Sequence, residues 1–363
     1  MPDRFEHGGN LYEASASIGR SLDSLLDFSA NINPLGVPPA VMQAVTENLP
    51  RIIHYPDAHS HGLKKAISQH YHVPAEQILP GNGAAELLYV LCHHMRPHRA
   101  LIPVPAFSEY ERAALAAGAA VDYCLTREED GFALAVTSLL NKVARRSMVF
   151  VGNPNNPTGT LIRRDELLPL LAQAADLESL VIVDESFIDF LADDSSYTCR
   201  HLIRSFPNLV VLHSLTKFFA IPGLRLGFAL ADEKLCQTLH LCKDTWNVNS
   251  LAQAAGVAAL GDEAYRQNAR KFARETGQLF FRQLQSIPGI KPFPPSANFI
   301  LLNITGTGFS AGKLRQSLAA QGILVRDCSN YPGLSEQYIR VAVRLQEQNE
   351  TLIESLENVL AVK

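Results

Sequence analysis

A chain of 363 residues, 47% apolar and 19% charged, has the composition of an ordinary globular enzyme and the length for one large α/β domain plus a smaller one. Its formal net charge of -4 gives no electrostatic footprint for nucleic acid or an anionic membrane, and no apolar run approaches a membrane span. Six scattered cysteines without a CxxC, and an N-terminus without a signal-peptide core, predict reduced thiols in a cytoplasmic protein.

In chain order, a polar arm, His7-Gly8-Gly9-Asn10, precedes a short helix predicted over 12–18. Turn chemistry at Asn33-Pro34 separates it from a helix predicted over 39–49. An extended turn, His54-Tyr55-Pro56-Asp57, leads to a helix over 62–71. The histidines at 54–61 and 93–98 lack accompanying cysteines and any HExxH spacing, so they read as surface or helix-end residues and no metal site is expected. Ile78-Leu79-Pro80-Gly81-Asn82-Gly83-Ala84-Ala85-Glu86 enters a helix through 87–91. Glycines at a helix start let backbone N–H groups and the positive end of the dipole meet an anion. As a dinucleotide fingerprint the stretch fails, because Glu86 stands where the third glycine belongs; a phosphate cup and a simple turn both remain open. Gly306-Thr307-Gly308 reads as a loop.

Apolar strands are predicted at 100–104, 120–124, 148–151, 180–183, 209–212 and 226–230, with helices such as 108–117 and 164–175 between them. That alternation predicts a mostly parallel sheet covered by helices, whose ligands lie outside the carboxyl ends of the strands. The informative residues fall at those ends. The strand 148–151 runs into Gly152-Asn153-Pro154-Asn155-Asn156-Pro157-Thr158-Gly159, where two X-Pro steps can hold an asparagine amide in a site. The strand 180–183 ends in Asp184-Glu185-Ser186-Phe187. A carboxylate there is costly without a cation; a protonated pyridine nitrogen would supply one, and the alternative is a helix N-cap. The strand 209–212 leads to Ser214-Leu215-Thr216-Lys217, with Arg225 eight residues beyond the lysine. A lysine in an apolar stretch loses its proton readily and can attack a carbonyl, while an arginine fork suits a phosphate. An aldehyde carrying a phosphate is pyridoxal phosphate; the alternative is a solvated lysine beside a surface arginine.

Asn156-Pro157-Thr158-Gly159, Asp184-Glu185 and Ser214-Leu215-Thr216-Lys217 with Arg225 resemble, in order and spacing, the fold type I pyridoxal-phosphate enzymes of the aspartate-aminotransferase superfamily. The resemblance covers essentially the whole chain. It implies the fold type I transferase fold, α/β, with a large domain whose mostly parallel sheet is flanked by helices and a smaller C-terminal α/β domain. It implies Lys217 as the Schiff-base lysine, Asp184 as partner of the pyridine nitrogen and Asn156 as a contact of the ring hydroxyl. Ser214, Arg225 and the backbone at Ala84 and Ala85 would hold the cofactor phosphate, and Phe107 would stack on the ring. A homodimer is implied too, with Tyr55 reaching a cofactor phosphate in the neighbouring subunit.

A narrower resemblance lies towards the ends. His7-Gly8-Gly9-Asn10, Asp27-Phe28-Ser29-Ala30-Asn31-Ile32-Asn33-Pro34-Leu35-Gly36 and Asn330-Tyr331-Pro332-Gly333-Leu334 are very similar to the threonine-phosphate decarboxylases of cobalamin biosynthesis. So are Asp184-Glu185-Ser186-Phe187-Ile188-Asp189-Phe190 and Tyr338-Ile339-Arg340-Val341-Ala342-Val343-Arg344; histidinol-phosphate aminotransferases are the near relatives. Most transaminating relatives carry a tyrosine where Phe187 stands, which favours the decarboxylase, and Ser186 departs from the more usual alanine.

After a linker helix expected over 249–285, strands are predicted at 299–302, 323–325 and 338–341, with helices over 311–320 and 346–359. Arg326 and Arg340 are expected at strand ends; by resemblance Arg340 grips the substrate carboxylate, and Arg326 with His7 and Asn31 receives the substrate phosphate. The expected domains are 1–48, an N-terminal arm and helix associated with the small domain; 49–248, the large cofactor domain; and 249–363, the linker helix and small domain. The expected activity is decarboxylation of O-phospho-L-threonine or O-phospho-L-serine to an amino-alcohol phosphate for cobalamin biosynthesis. The alternatives are an aminotransferase for a phosphorylated substrate such as histidinol phosphate and a non-catalytic module on the same fold; Lys217, Asp184 and Arg225 together speak against the latter.

Overall fold

Consecutive residues of a buried strand point to opposite faces, so apolar runs such as Val181-Ile182-Val183 feed two cores at once. A computed structural model describing residues 5–361 arranges seven such strands in one sheet. Their order is β2 (Ile78–Gly81), β8 (Gly227–Leu230), β7 (Leu209–Ser214), β6 (Leu180–Asp184), β5 (Met148–Gly152), β3 (Arg99–Val104) and β4 (Ala120–Leu125). Only β8 runs against its neighbours, pairing antiparallel with both β2 and β7. One face carries Leu101, Val149, Val181, Val183 and Val211 against α3 (His61–Tyr71), α7 (Leu168–Asp176) and α10 (Ser250–Gly261), with α2 (Pro39–Asn48) beyond. The other carries Ile102, Phe150, Ile182 and Leu212 against α4 (Ala84–Met95), α5 (Glu109–Ala116) and α9 (Glu233–Leu241). A short helix α6 (Val136–Leu140) lies between β4 and β5, and α8 (Leu215–Phe218) opens directly off β7.

A second, antiparallel sheet is ordered β12 (Arg326–Asp327), β13 (Tyr338–Ala342), β10 (Phe299–Asn303), β9 (Lys291–Pro292). Its core includes Phe280, Ile300, Ile339 and Leu352, drawn together with α11 (Glu263–Gln285), α12 (Ala311–Ala320) and α13 (Gln346–Ala361). The N-terminal segment joins this unit: after α1 (Leu11–Ile18), β1 (Leu26–Asp27) pairs in parallel with β11 (Ile323–Leu324), and Phe28 enters the same core.

Three local expectations are corrected. The linker helix over 249–285 is two helices, because Asp262 leaves helical geometry (φ -89°, ψ 79°) and its side chain accepts from the Tyr265 N–H to start α11 afresh. Ile78–Gly81 is a strand, β2, where the sequence showed only an approach to a helix; its four residues are buried beside β8. Arg340 stands inside β13 and not at its end, opposite Leu301 on one side and Arg326 on the other. All six cysteines are free, and among the described residues no group of three or more metal-ligating side chains occurs and no helix is long and apolar enough to cross a membrane.

Candidate active site

The carboxyl ends of β5, β6 and β7 open onto a cavity of about 400 Å³ whose far wall is the second sheet. Lys217, in α8 one turn beyond the end of β7, points its Nζ into it, 3.2 Å from Ser214 Oγ and 5.7 Å from the centre of the Phe187 ring. Burial pushes its ammonium down to about 8; Asp184 opposes the shift, and Arg225 and Arg340 reinforce it. Lys217 is therefore largely an amine at mildly alkaline pH, as a nucleophile towards an aldehyde needs.

Asp184 ends β6 with both carboxylate oxygens engaged. Oδ1 accepts from the Ser186 N–H at 2.9 Å, the local turn that a capping residue would make. Oδ2 accepts from the Tyr110 hydroxyl at 2.7 Å. One oxygen thus tethers the chain in a local turn rather than capping a helix, and the carboxylate faces the cavity. Tyr110 is fixed by stacking on Phe150 and by edge contact with Phe107, the half-buried ring at the cavity wall.

Opposite Lys217, Gly83 caps α4 at φ +82°, and a Cβ there would lie 2.6 Å from Arg225 Nη2. The glycine is required twice: for the left-handed backbone and for the guanidinium resting against it. Arg225 itself holds a positive φ of 58°, a backbone choice that bulky residues make at a cost. Beside it are the first N–H groups of α4 at Ala84 and Ala85, and the Ser214 and Thr216 hydroxyls, hydrogen-bonded to each other at 2.8 Å. Amides, hydroxyls and a guanidinium along one part of the lining are the donors that a phosphate cup would need.

On the far wall, Arg326 and Arg340 are directly opposed in the β12–β13 pair, so both side chains leave the same face. They are 4% and 5% exposed, unusual for arginine. Arg340 donates to the Asn156 side-chain oxygen and, at 2.6 Å, to the Ser29 carbonyl, leaving its Nε buried without a partner. Arg326 donates to the Glu6 carbonyl at 2.6 Å and to Asn330 Oδ1 at 2.8 Å. Asn31 lines the cavity with its Oδ1 buried and unpartnered, and His7 reaches the rim 2.7 Å from Glu109.

The geometry brings together Lys217, Asp184, Ala84, Ala85, Phe107, Asn156, Ser214, Arg225, His7, Asn31, Arg326 and Arg340. Tyr55 stands apart: it is 77% exposed and stacks on Trp246, outside this cavity. Thr216, Tyr110 and Tyr331 also line it, unassigned from sequence although Thr216 and Tyr331 lie inside stretches already singled out. Membership of those two stretches was the signal for Thr216 and Tyr331; nothing local marked Tyr110.

The donor set fits pyridoxal phosphate: a cup for the phosphate, Asp184 for the ring nitrogen, the Asn156 amide for the ring hydroxyl, Phe107 for the ring face and Lys217 for the aldehyde. The unpartnered Asn31 Oδ1 and Arg340 Nε leave polar capacity in the cavity where ligand groups would lie. The description "Aminotransferase class I and II" matches residues 23–356. Over 355 residues the chain is 40% identical to threonine-phosphate decarboxylase of Salmonella typhimurium, covering 98% of this chain and 96% of that one. It is 35% identical over 358 residues to the adenosylcobalamin biosynthesis bifunctional protein CobDQ of Leptospira interrogans, using 98% of its own length and spanning 41% of that protein. The solved histidinol-phosphate aminotransferase of Clostridium acetobutylicum matches with a TM-score of 0.86 at 30% identity, over 93% of this chain and 99% of that one. The chain belongs to the class I and II aminotransferase family.

Proposed function

We propose that this protein is a pyridoxal-phosphate-dependent decarboxylase of O-phospho-L-threonine, or of the serine analogue, yielding an amino-alcohol phosphate for cobalamin biosynthesis. One observation carries the reading beyond the likeness to named decarboxylases: two buried arginines in register on one wall, Arg326 and Arg340, suit a substrate with an anionic group at each end. Bound pyridoxal phosphate would supply the aldehyde that takes the substrate amine and the protonated ring that accepts electrons from a bond breaking at Cα. The chain's residues do the rest. Lys217, poised near pH 8, yields its place to the substrate amine and carries a proton at Nζ that can be returned to Cα. Arg340 orients the carboxylate, which decides whether the bond to carbon dioxide or the bond to the α proton is aligned for cleavage. Arg326, with His7 and Asn31, receives the phosphate, which does not react, so that contact serves placement. Phe187 offers no hydroxyl to the ring and packs its face near Lys217 Nζ, leaving Asn156 to meet the ring oxygen.

The likeness to a histidinol-phosphate aminotransferase keeps a second reading in play, since glutamate as amino donor also has two anionic ends for these arginines. Purified holoenzyme given phosphothreonine with and without 2-oxoglutarate decides between them. Carbon dioxide release is expected; glutamate formed from 2-oxoglutarate in step with substrate loss would reject the decarboxylase.

The same reading includes a cytoplasmic homodimer. The exposed cluster Ile52, Ile53, Tyr55 and Trp246 supports it, because apolar side chains of this size seldom gather on a free surface. It also includes the domain division 1–48, 49–248 and 249–363, in which the β1–β11 pairing supports grouping the N-terminal segment with the small unit.

A further inference from the structure

The arm ahead of α1 is fastened on both sides of the cavity mouth. Towards the large sheet, His7 Nε2 lies 2.7 Å from Glu109 Oε1, its ring packs 5.5 Å from Phe107, and the Arg112 guanidinium lies 5.8 Å over the Phe5 ring. Towards the small sheet, the Glu6 carbonyl accepts from Arg326 at 2.6 Å and from Asn330 at 3.3 Å, and the Glu6 carboxylate pairs with Arg315 of α12 at 3.1 Å. Between them the Gly9 N–H donates to Ser29 Oγ at 2.8 Å. Gly8 passes so close that a Cβ would fall 2.2 Å from the Ser29 carbonyl oxygen, the atom that also receives Arg340. Residues 5–9 form a strap across the mouth, bonded directly to Arg326 and meeting Arg340 only through the Ser29 carbonyl.

Glu109, at the start of α5, is the large-sheet anchor of that strap. It is buried, does not line the cavity, and gathers His7, the Tyr89 hydroxyl at 3.0 Å and Arg112 at 3.4 Å. The bond from His7, with help from Tyr89, holds its carboxyl below the usual carboxylate range against the opposing effect of burial. A buried carboxylate facing an arm residue at the rim has no part in the chemistry, yet it determines where His7 is held.

We propose that Glu109 is a positioning residue for substrate choice: by fastening His7 it holds the strap closed and keeps the imidazole at the phosphate end of the cavity, beside Arg326. The inference rests on the decarboxylase reading, in which His7 and Arg326 receive the substrate phosphate. A strap already ordered loses little freedom when the substrate arrives, whereas a freed strap must be ordered at each binding event. The penalty therefore falls on the substrate whose phosphate uses His7, and it appears in KM more than in kcat.

The test uses the full-length holoenzyme with Glu109→Ala and Glu109→Gln, each also in a His7→Ala background. Glu109→Ala is expected to speed amide exchange over residues 5–9 before any substrate is added. It should raise KM for phosphothreonine about tenfold, the order set by one charge-assisted hydrogen bond, with kcat and cofactor affinity within about threefold of wild type. Threonine, lacking the phosphate, should be nearly indifferent. Glu109→Gln keeps an acceptor oxygen and should restore part of the loss, and it carries the test if the alanine variant folds poorly. In the His7→Ala background neither change should add anything. Unchanged exchange over residues 5–9, an undiminished effect without His7, or equal losses for phosphothreonine and threonine would each overturn the inference. If wild-type enzyme releases no carbon dioxide from phosphothreonine, it is the decarboxylase reading that fails, while the exchange result still reports on the strap.

Discussion

Lys217 shows at the scale of one residue how function is set against stability. Its side chain is placed where the ammonium is penalised, so its proton leaves at about 8 in the folded chain against 10.5 in an unfolded one. Between those values the unfolded chain binds more protons, so this residue's contribution to stability improves as pH rises. The penalty is full below pH 8 and is relieved as pH approaches 10.5. In the cofactor-free protein, Lys217→Met is therefore expected to raise the denaturant midpoint at pH 7 and to lose most of that advantage by pH 10. Equal midpoints at both values would mean that the ammonium is not penalised. Lys217, Asp184 and Arg225 were legible in the sequence because each lies within a few residues of an apolar strand end. Tyr110 and Glu109 were not, since their partners Asp184 and His7 stand 74 and 102 residues away, and nothing local marks a side chain as the orienting partner of another.

The informative element is the start of α4. Asn82-Gly83-Ala84 could be read from sequence as a turn or as a phosphate cup, and what favours the cup is Arg225, which comes from the turn ahead of β8 to rest on Gly83. Gly83→Ala adds a methyl 2.6 Å from the guanidinium and places alanine at φ +82°, so either the arginine or the backbone must shift. The strain is on the order of 1–3 kcal/mol, and cofactor affinity is expected to fall about tenfold or more, measured by equilibrium dialysis. Unaltered affinity in a folded variant would remove Arg225 from the cup. Elsewhere at this scale the strong periodicities gave reliable elements and the boundaries did not. The break between α10 and α11 was hidden because Gly261-Asp262 interrupts two helices that otherwise run on, and only the Asp262 cap reveals the restart. β2 was missed because a four-residue strand containing Pro80 runs straight into the glycine-bearing approach to α4; it is held at the sheet edge by β8 alone.

At the scale of the molecule, the site exists only because two sheets face each other. The large sheet's side supplies Lys217, Asp184 and the donors proposed for the cofactor phosphate, while the small sheet supplies the two arginines. The sequence placed those arginines near strands but could not show that they are opposed in register, because that depends on how β12 and β13 pair across the loop that carries Tyr331. Register also divides their work. Arg340, on the inner strand, already touches Asn156 and Ser29, close to the ring site, whereas Arg326, on the edge strand, touches Glu6 and Asn330 at the strap. If Arg326 holds the phosphate, Arg326→Ala removes a charge-assisted contact made only by phosphorylated substrates, roughly 1.5–3 kcal/mol. The preference for phosphothreonine over threonine should then fall about ten- to a hundredfold. Arg340→Ala should weaken both substrates alike, because both carry the carboxylate, and the preference should survive. The ratio of the two kcat/KM values in each variant is the decisive quantity, since effects on folding or cofactor loading cancel within it. A ratio that collapses in Arg340→Ala and persists in Arg326→Ala would reverse the two ends of the substrate, placing the phosphate against the inner strand and the carboxylate beneath the strap.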